Sequence, residues 1–382
     1  MSIQLQVDSE EFWTSLAADI AQAQDYIYVQ TLSFEGDRAG TGLAKALLAA
    51  AAKDKRIAVD SFSKIIINDK FINAPTHIGD RELHQEVAAT AQMMQELRDG
   101  GVKLKYTNPL GLLLHKILAR NHKKLVVIDD RITYVGGINF SDHNFAWHDL
   151  MIRFEDEAIA LFAKQDFLHT WSEEDRPGVH HFDLADFYMF DGRHNLPVWE
   201  QVLQLIEQAE TEVIIQSPYF TFPFYEKIAA LTRRGVKVTY ISPESNNRRI
   251  FDAYNRWECQ QANIDLRLYQ GRMTHLKSIL IDNKYLLLGS ANFDFVSYYF
   301  DAEIIAVLKD PTIIEEFRQR VVAVDLSNTI PHQEIVPNWK GKSYRFVLQK
   351  VLQLAQILEG ISGNKSSQQI KFTKSKSSTA TS

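Results

Sequence analysis

The chain has 382 residues, of which 45% are hydrophobic and 24% charged, a balance that excludes a largely disordered or fibrous protein. Its net charge of -6 argues against binding of nucleic acid through a broad basic surface. Its single cysteine, Cys259, excludes an internal disulfide. No apolar run approaches the roughly 20 residues of a membrane-spanning helix. The sequence therefore predicts a cytoplasmic protein, or one that lies peripherally on the inner face of a membrane.

The predicted elements, taken in chain order, describe a duplication. Ile20 to Phe34 reads IAQAQDYIYVQTLSF and Ile206 to Phe220 reads IEQAETEVIIQSPYF, 186 positions further on. Both segments predict an amphipathic helix that leads into a β-rich strand. A second helix and a second strand follow in each half, at Gly42–Lys53 with Arg56–Phe62 and at Tyr225–Arg234 with Val236–Ile241. The sequence thus predicts two α/β halves of one layout, at 1–175 and 176–328.

Two segments fall outside this repeat. The first half has 33 additional residues, which we place near 65–97 and expect at the mouth of the site. Residues 329–360 predict a linker and an amphipathic helix whose basic start suits an anionic membrane, with docking onto the preceding domain as the alternative. The end of the chain, 361–382, is rich in Ser, Thr, Lys and Gln and predicts a disordered tail.

Each half contains one copy of the pattern His-x-Lys-x4-Asp. The copies are His122, Lys124 and Asp129, and His275, Lys277 and Asp282. Because side chains two apart on a strand share a face, the histidine and lysine of each copy are expected to point together into a cleft. Both aspartates belong to the candidate catalytic set, but their odd spacing from the histidines favours a structural role at the far end of the strand.

A second strand follows each motif and ends on small residues. It closes with GGIN in the first half and GSAN in the second, and each asparagine stands 17 positions after its histidine. Glycine lets the backbone approach a phosphate closely, while Asn and Ser donate hydrogen bonds to its oxygens. The pattern predicts a phosphate-binding seat at Gly137, Asn139, Ser290 and Asn292.

A third strand begins with a carboxylate in both halves. Asp149 stands 27 positions after His122, and Glu303 stands 28 positions after His275. A carboxylate against the far ring nitrogen of a histidine fixes its tautomer and stabilises the imidazolium. Measured within its own half, each histidine therefore has a candidate orienting carboxylate.

Two histidines and two lysines suit a two-step displacement at phosphorus. One neutral imidazole attacks and forms a phosphohistidine, while the protonated second ring donates its proton to the leaving alcohol. Lys124 and Lys277 would neutralise the phosphoryl oxygens, which is the work of a metal in other sites. We see no separate cluster with metal-ligand spacing, and the sequence predicts neither a metal nor a cofactor.

These motifs resemble those of the phospholipase D superfamily over about residues 10–325. RNHKKLVVIDDRITYVGGINFSDHN, SPYF and HLKSILIDNKYLLLGSANFD are similar to bacterial cardiolipin synthases and related phosphatidyltransferases. The resemblance implies a duplicated α-β-α sandwich with mixed β-sheets and one shared active site. It also implies that His122 is the nucleophile and His275 the acid. The common cardiolipin synthases begin with membrane-spanning helices that this sequence lacks.

The function implied is a phosphatidyltransferase that acts on a phospholipid such as phosphatidylglycerol, without an obligate protein partner. A phospholipase D hydrolase is an alternative, because the sequence leaves open whether water or an alcohol is the acceptor. A nuclease or other phosphodiesterase of the superfamily is a second alternative, which the acidic net charge disfavours. A non-catalytic binding protein is a third, but both motif histidines are present.

Several features have two interpretations. The apolar segment Leu110–Leu118 predicts a core helix or, alternatively, a wall for acyl chains or a lip that dips into a membrane. The aromatic cluster of SPYFTFPFY either packs the core or contacts lipid. His143 follows the asparagine loop and is either a loop histidine or part of the site.

Overall fold

The computed structural model describes residues 1–361 of the chain. The strands of the first half are β1 Ser2–Val7, β2 Tyr26–Thr31, β3 Asp54–Asp60, β4 Ile66–Ile67, β5 Lys70–Phe71, β6 Lys103–Thr107, β7 Leu125–Ile128, β8 Ile132–Gly136 and β9 Leu150–Glu155. Its helices are α1 Asp8–Gln22, α2 Arg38–Ala49, α3 Arg81–Asp99, α4 Asp142–Ala146 and α5 Glu157–Trp171, with short 3-10 turns at Ser61–Lys64, Pro75–His77 and Leu112–Leu114.

The second half repeats the pattern. Its strands are β10 Gly178–His181, β11 Ala185–Met189, β12 Glu212–Gln216, β13 Lys237–Pro243, β14 Asp265–Tyr269, β15 Ser278–Ile281, β16 Tyr285–Gly289, β17 Ile304–Leu308 and β18 Thr329–Pro331. Its helices are α6 Leu196–Glu207, α7 Phe224–Arg233, α8 Arg249–Ala262, α9 Phe295–Tyr299, α10 Pro311–Phe317 and α11 Ala323–Ser327, the last two joined by a π-helical turn at Arg318–Val322. The helix α12, Asn338–Ile361, follows.

The two large sheets have matching connectivity. The first has the order β1-β9-β8-β7-β2-β3-β6 and the second the order β10-β11-β17-β16-β15-β12-β13-β14-β18. In both, an inner strand pairs in parallel with the next strand of its half, β2 with β3 and β12 with β13, while the motif strands β7 and β15 pair antiparallel on the other side. The mixed sheets and the repeated order confirm the predicted fold class, a duplicated α-β-α sandwich.

The two sheets share a central hydrophobic core. Leu125 and Val135 of the first sheet belong to the same buried cluster as Leu286 and Leu288 of the second. Helices α5 and α10 contribute to this cluster, while α1–α3 and α6–α8 cover the outer faces of the two sheets with clusters of their own. Because the inner strands are apolar on both faces, they bury completely, as strands between two layers do. The motif loops at the strand ends are thereby held against each other.

The segment Leu110–Leu118 is not a core helix, so that interpretation is wrong. It forms an exposed turn around Leu112–Leu114, and its two later residues, Ile117 and Leu118, line a cavity. By contrast, the aromatic cluster after β12 does pack the core, since Phe220, Phe222, Phe224 and Tyr225 are buried. The periodicity of a short apolar run does not distinguish a core helix from an exposed turn.

Helix α12 docks onto the second half. Leu348, Leu352 and Ala355 are buried in the outer core cluster, and Gly341 lies so close to the Trp257 ring that a Cβ there would meet it at 2.0 Å. Arg345 pairs with Glu226 and Glu258. Within residues 1–361, the structure contains no helix with the length and apolar character needed to cross a membrane. Residues 362–382, nearly all of the predicted disordered tail, lie outside the described part of the chain.

Candidate active site

The two motif histidines lie at the ends of matching strands, and each is tied by its backbone to the opposite half. The His122 amide donates to the Ala302 carbonyl at 2.9 Å, and the His275 amide donates to the His148 carbonyl at 2.7 Å. His122 stands three residues before β7 and His275 three residues before β15. Both rings therefore sit where the two halves meet, and both line one cavity of ≈ 400 Å³.

The orienting carboxylates are exchanged between the halves. His122 Nδ1 lies 2.8 Å from Glu303 Oε1, and His275 Nδ1 lies 2.7 Å from Asp149 Oδ2. The pairing within each half that the spacing suggested is therefore wrong: Asp149 serves the histidine of the second half and Glu303 that of the first. The exchange follows from the backbone bonds between the halves, because Glu303 and Asp149 directly follow Ala302 and His148, whose carbonyls accept from the two histidines. An Nδ1–H that donates to a carboxylate leaves Nε2 of each ring to face the reaction, and Lys277 Nζ lies 3.3 Å from Nε2 of His275.

Gly137 and Ser290 do not form the predicted phosphate seat. A Cβ at position 137 would lie 2.3 Å from Asp149 Oδ1, so this glycine makes room for the carboxylate that holds His275. Ser290 is fully buried, and its hydroxyl donates to Glu303 Oε2. Ser297 donates to the same carboxylate at 2.8 Å. Gly137 and Ser290 thus each support an orienting carboxylate instead of contacting a ligand.

Asn139 and Asn292 do line the cavity. Asn139 Oδ1 accepts from the Thr31 hydroxyl at 3.1 Å and the Leu32 amide at 3.2 Å, while its amide nitrogen donates to Asn144 at 3.3 Å. Asn292 Oδ1 is buried and has no hydrogen-bond partner within the described residues. Asn292 is therefore the freer of the two to bind a ligand.

The two motif lysines are fully buried beside the histidines. Lys124 Nζ donates to the His122 carbonyl at 2.7 Å, and Lys277 Nζ lies 3.5 Å from Asp149 Oδ2. Burial lowers the pKa of Lys124 to about 7, and burial also lowers the pKa of Lys277. Charge repulsion from Lys277 adds to the lowering of the Lys124 pKa. An arriving anion would relieve both effects, so the pair suits a phosphoryl group.

The two motif aspartates lie away from the cavity, so their place in the candidate catalytic set is wrong. Asp129 accepts from the amides of Gln24, Asp25 and Tyr26, and Asp282 accepts from those of Glu210, Thr211 and Glu212, all at 2.8–3.1 Å. Both have a positive φ, 49° and 48°, at the turn that ends their strands. Each aspartate therefore fastens the end of its motif strand to the start of the neighbouring strand, which is the structural role that the spacing favoured.

Burial also governs the charge state of the histidines. It lowers the pKa of His122, and burial together with Lys277 lowers the pKa of His275 to about 3. The two rings are thus neutral at neutral pH, which is the state a nucleophile needs. A bound phosphodiester anion raises the pKa of a nearby imidazole, so the ring that serves as acid gains its proton when substrate is present.

The cavity has a polar floor and an apolar wall from both halves. Trp147 packs against His275 with 4.8 Å between ring centroids, and His143 lies beside Trp147. Phe62, Ile66, Phe71, Ile117, Leu118 and Phe251 form the apolar wall. Asp69 of the inserted segment accepts from Asn247 of the second half at 3.0 Å, so this segment reaches across the mouth. His143 thus lines the site, whereas His77, His84 and His115 bond to nearby backbone carbonyls outside it.

Two buried clusters around the site were missed in the sequence. Arg120 bonds to Asp60 at 2.8 Å, and its amide donates to Asp301 at 3.1 Å, just before His122. On the other side, His148 lies between Asp8 and Asp325, at 2.7 Å and 3.0 Å. The only signal available was position, since Arg120 and His148 stand close to motif residues in the sequence; their partners come from distant parts of the chain.

Within the described residues, two groups bring possible metal ligands together. They are His122 with Asp301 and Glu303, and Glu35 with Asp37 and Glu86. Burial raises the pKa of Asp301 well above its usual range and that of Glu35 to about 9, which disfavours the charged form of both carboxylates. The Nδ1 of His122 is already engaged by Glu303. Neither group is thus arranged as a set of free anionic ligands.

Comparisons with known proteins agree with this geometry. The family described as "Cardiolipin synthase, PLD-like domain" matches residues 16–171 and 202–323. Cardiolipin synthase B of Salmonella typhi is 28% identical over 355 residues, covering 84% of this chain and 80% of its own. The major cardiolipin synthase ClsA of Bacillus subtilis is 25% identical over 352 residues, covering 82% of this chain and 67% of its own.

Solved structures show the same fold. The phosphatidylserine synthase of Haemophilus influenzae superposes with a TM-score of 0.65 at 16% identity, covering 94% of each chain. The polyphosphate kinase of Porphyromonas gingivalis superposes with a TM-score of 0.57 at 14% identity, covering 91% of this chain and 53% of its own. At these identities the likeness concerns the fold, and function has to be argued from the site.

Proposed function

Because this chain belongs to the cardiolipin synthase family with a PLD-like domain, we propose that it transfers a phosphatidyl group from one phospholipid to an alcohol through a phosphohistidine. The observation that carries the proposal is the meeting of His122 and His275 in one cavity, each with its Nδ1 held by a carboxylate of the opposite half. The repeats 1–175 and 176–328 would each supply half of the machinery.

In the first step, the neutral Nε2 of His122 attacks the phosphorus in line with the leaving oxygen. The new N–P bond forms as the P–O bond to the headgroup alcohol breaks, and His275 Nε2–H gives that oxygen its proton. Glu303 stabilises the positive charge that develops on His122. Lys124 and Lys277 face the phosphoryl oxygens, and Asn292 donates its amide N–H to them.

In the second step, His275 is neutral and acts as the base. It takes the proton of an acceptor hydroxyl, whose oxygen attacks phosphorus and displaces His122. The products are the new phosphodiester and the original pair of histidines, so no atoms or electrons are left over. An alcohol as acceptor gives transfer and water gives hydrolysis, with identical roles for every residue.

The substrate class follows from the wall of the cavity. A phosphodiester alone needs only the polar floor, whereas the apolar wall formed by residues such as Phe62 and Ile117 suits the glycerol backbone and the first acyl carbons of a phospholipid. The chain would then work peripherally, at the inner surface of a membrane. A nuclease uses the same chemistry, but the acidic net charge does not favour a nucleic-acid backbone.

The test is lipid mass spectrometry of the protein incubated with phosphatidylglycerol vesicles. We expect cardiolipin and free glycerol from the wild type, and a rate about 1,000-fold lower from either His122→Ala or His275→Ala. His181→Ala, at an exposed edge strand, is the matched control and should keep the wild-type rate. Phosphatidic acid as the sole product would establish the hydrolase instead. Cleavage of a labelled oligonucleotide without any lipid product would overturn the proposal.

A further inference from the structure

We propose that the turn Leu112–Leu114, here named the leucine turn, inserts into a phospholipid bilayer and places the cavity at the level of the lipid headgroups. This inference rests on the proposed function, because it specifies how a phospholipid would reach that site. It concerns an interaction surface outside the residues of the chemistry. Its occupant is the apolar boundary of an anionic bilayer.

The first observation is the exposure of consecutive leucines. Leu112 is 83% exposed and Leu113 93% exposed, and Leu114 is also exposed. Single exposed apolar side chains are ordinary on a protein surface, but a run of leucines at the tip of a loop is typical of an interaction site. The backbone holds them outward, since Leu113 and Leu114 have φ values of 54° and 59°, a left-handed conformation that bulky residues rarely adopt.

The second observation is the continuity of the turn with the catalytic cavity. Ile117 and Leu118 follow the leucine turn within four residues, and both line the cavity that contains His122. Phe71 lines the same cavity and is partly exposed at its rim. The turn adjoins this wall directly, since the Ile117 amide donates to the Leu114 carbonyl at 3.0 Å. In a phospholipid the phosphorus is joined through glycerol to the acyl chains, so chains leaving the site need an apolar path.

The third observation is charge. Lys116 lies two residues after the leucine turn, is half-buried, and lines a second cavity together with Glu173 and Asp175. A lysine beside an inserted apolar segment can keep its stem in the apolar layer and its ammonium at the level of lipid phosphates. A bilayer is favoured over a second protein because the leucine turn adjoins a cavity whose proposed substrate is a phospholipid, with a basic residue beside the turn.

The experiment compares vesicle binding with chemistry. The double variant Leu112→Ser/Leu113→Ser should bind phosphatidylglycerol vesicles at least about tenfold more weakly than the wild type in a sedimentation assay, and should transfer more slowly on vesicles to the same extent. On a short-chain phosphatidylglycerol dispersed as monomers, its rate should stay within about twofold of the wild type. Ile335→Ser, a change at an 82% exposed isoleucine outside the cavity, should leave both readouts unchanged.

A second variant tests insertion directly. Leu113→Trp keeps the side chain apolar, and its added fluorescence should shift to the blue and be quenched by brominated lipids on vesicle binding. Equal vesicle binding by the double variant and the wild type would overturn the inference, as would an added tryptophan signal that stays solvent-exposed with vesicles bound. A loss of self-association in the double variant without loss of vesicle binding would assign the turn to a protein contact instead. Vesicle binding without any lipid product would defeat the proposed function but leave the inference intact.

Discussion

Positions 137 and 290 both stand 15 residues after a motif histidine, and at both the size of the residue is matched to a neighbouring buried carboxylate. In the first half the residue is a glycine, and Gly137 leaves the space that Asp149 fills. In the second half Ser290 fills its space and donates to Glu303. Two different residues thus achieve the same end, which is to hold the acid that orients the histidine of the opposite half.

This equivalence predicts the effect of Gly137→Ala. The added methyl would meet both Asp149 oxygens at 2.3–2.4 Å, so the carboxylate has to move away from His275. We expect kcat to fall by about 100-fold or more, because losing an orienting carboxylate is costly in triad enzymes, with little change in KM. Ser290→Ala, which removes one of several hydrogen bonds to Glu303, should lower kcat by less than about tenfold. Steady-state kinetics on lipid vesicles checks both, and wild-type kcat in Gly137→Ala would show that Asp149 does not orient His275.

At this scale the sequence predicted which residues meet, but not how they are paired. The recurrence of His-x-Lys and of an asparagine at a fixed spacing identified both sides of the site, because a local pattern reports local geometry. The exchange of Asp149 and Glu303 between the histidines was out of reach, since it depends on packing between segments 126 and 181 residues apart. The roles of Gly137 and Ser290 were missed for the same reason: the group they serve is a buried carboxylate, not a ligand.

At the scale of elements, period-2 and period-3.6 patterns located the repeated helices and strands to within a few residues. The predicted strand Val236–Ile241 is Lys237–Pro243 in the structure, and the predicted helix Tyr225–Arg234 is Phe224–Arg233. Leu110–Leu118 was not predictable in this way. Its apolar character is real, but it arises from a surface turn and a cavity wall, and no periodicity marks that combination.

Helix α12 allows a matched test of element packing. Leu352 is 2% exposed and belongs to the outer core cluster of the second half, while Leu354, two residues later on the same helix, is 59% exposed. Leu352→Ala should lower the free energy of unfolding by about 2–5 kcal/mol, because a buried leucine loses both its transfer energy and its packing. Leu354→Ala should change it by about 0.5 kcal/mol or less. Chemical denaturation in the absence of lipid measures both, and equal values would mean that α12 is not docked in solution.

At the scale of the whole molecule, His148 joins three distant parts of the chain. Its ring lies between Asp8 at the start of α1 and Asp325 in α11 and stacks on Tyr269 of β14, with ring centroids 5.2 Å apart. Arg272, whose side chain is partly exposed to solvent, also pairs with Asp8. Burial alone would lower the pKa of His148, but its two carboxylate partners raise it to about 9. The backbone carbonyl of His148 accepts from the His275 amide. The cluster of His148 with Asp8 and Asp325, here named the His148 joint, therefore adjoins the active site.

The raised pKa predicts how stability depends on pH. A histidine whose folded-state pKa lies above its unfolded value of about 6.5 stabilises the fold fully below pH 6.5, and this contribution is lost as the pH rises towards 9. The shift corresponds to about 3 kcal/mol at most. Lys124 opposes this trend, because its lowered pKa makes the fold more stable as pH rises above about 7. The wild-type profile is therefore the sum of opposing contributions.

The variant His148→Gln isolates the contribution of this joint, since glutamine still donates to one carboxylate but does not titrate. Relative to the wild type, it should be less stable by up to about 3 kcal/mol at pH 6, and the difference should shrink steadily between pH 6.5 and 9 because only the wild type loses a proton there. Urea unfolding at a series of pH values measures this difference in the free energy of unfolding. Because Lys124 titrates in both proteins, its contribution cancels from the difference. A difference that stays constant over this range would mean that His148 does not titrate between its carboxylates. In that case His148 would join Asp8 and Asp325 through hydrogen bonds whose strength does not depend on pH in this range.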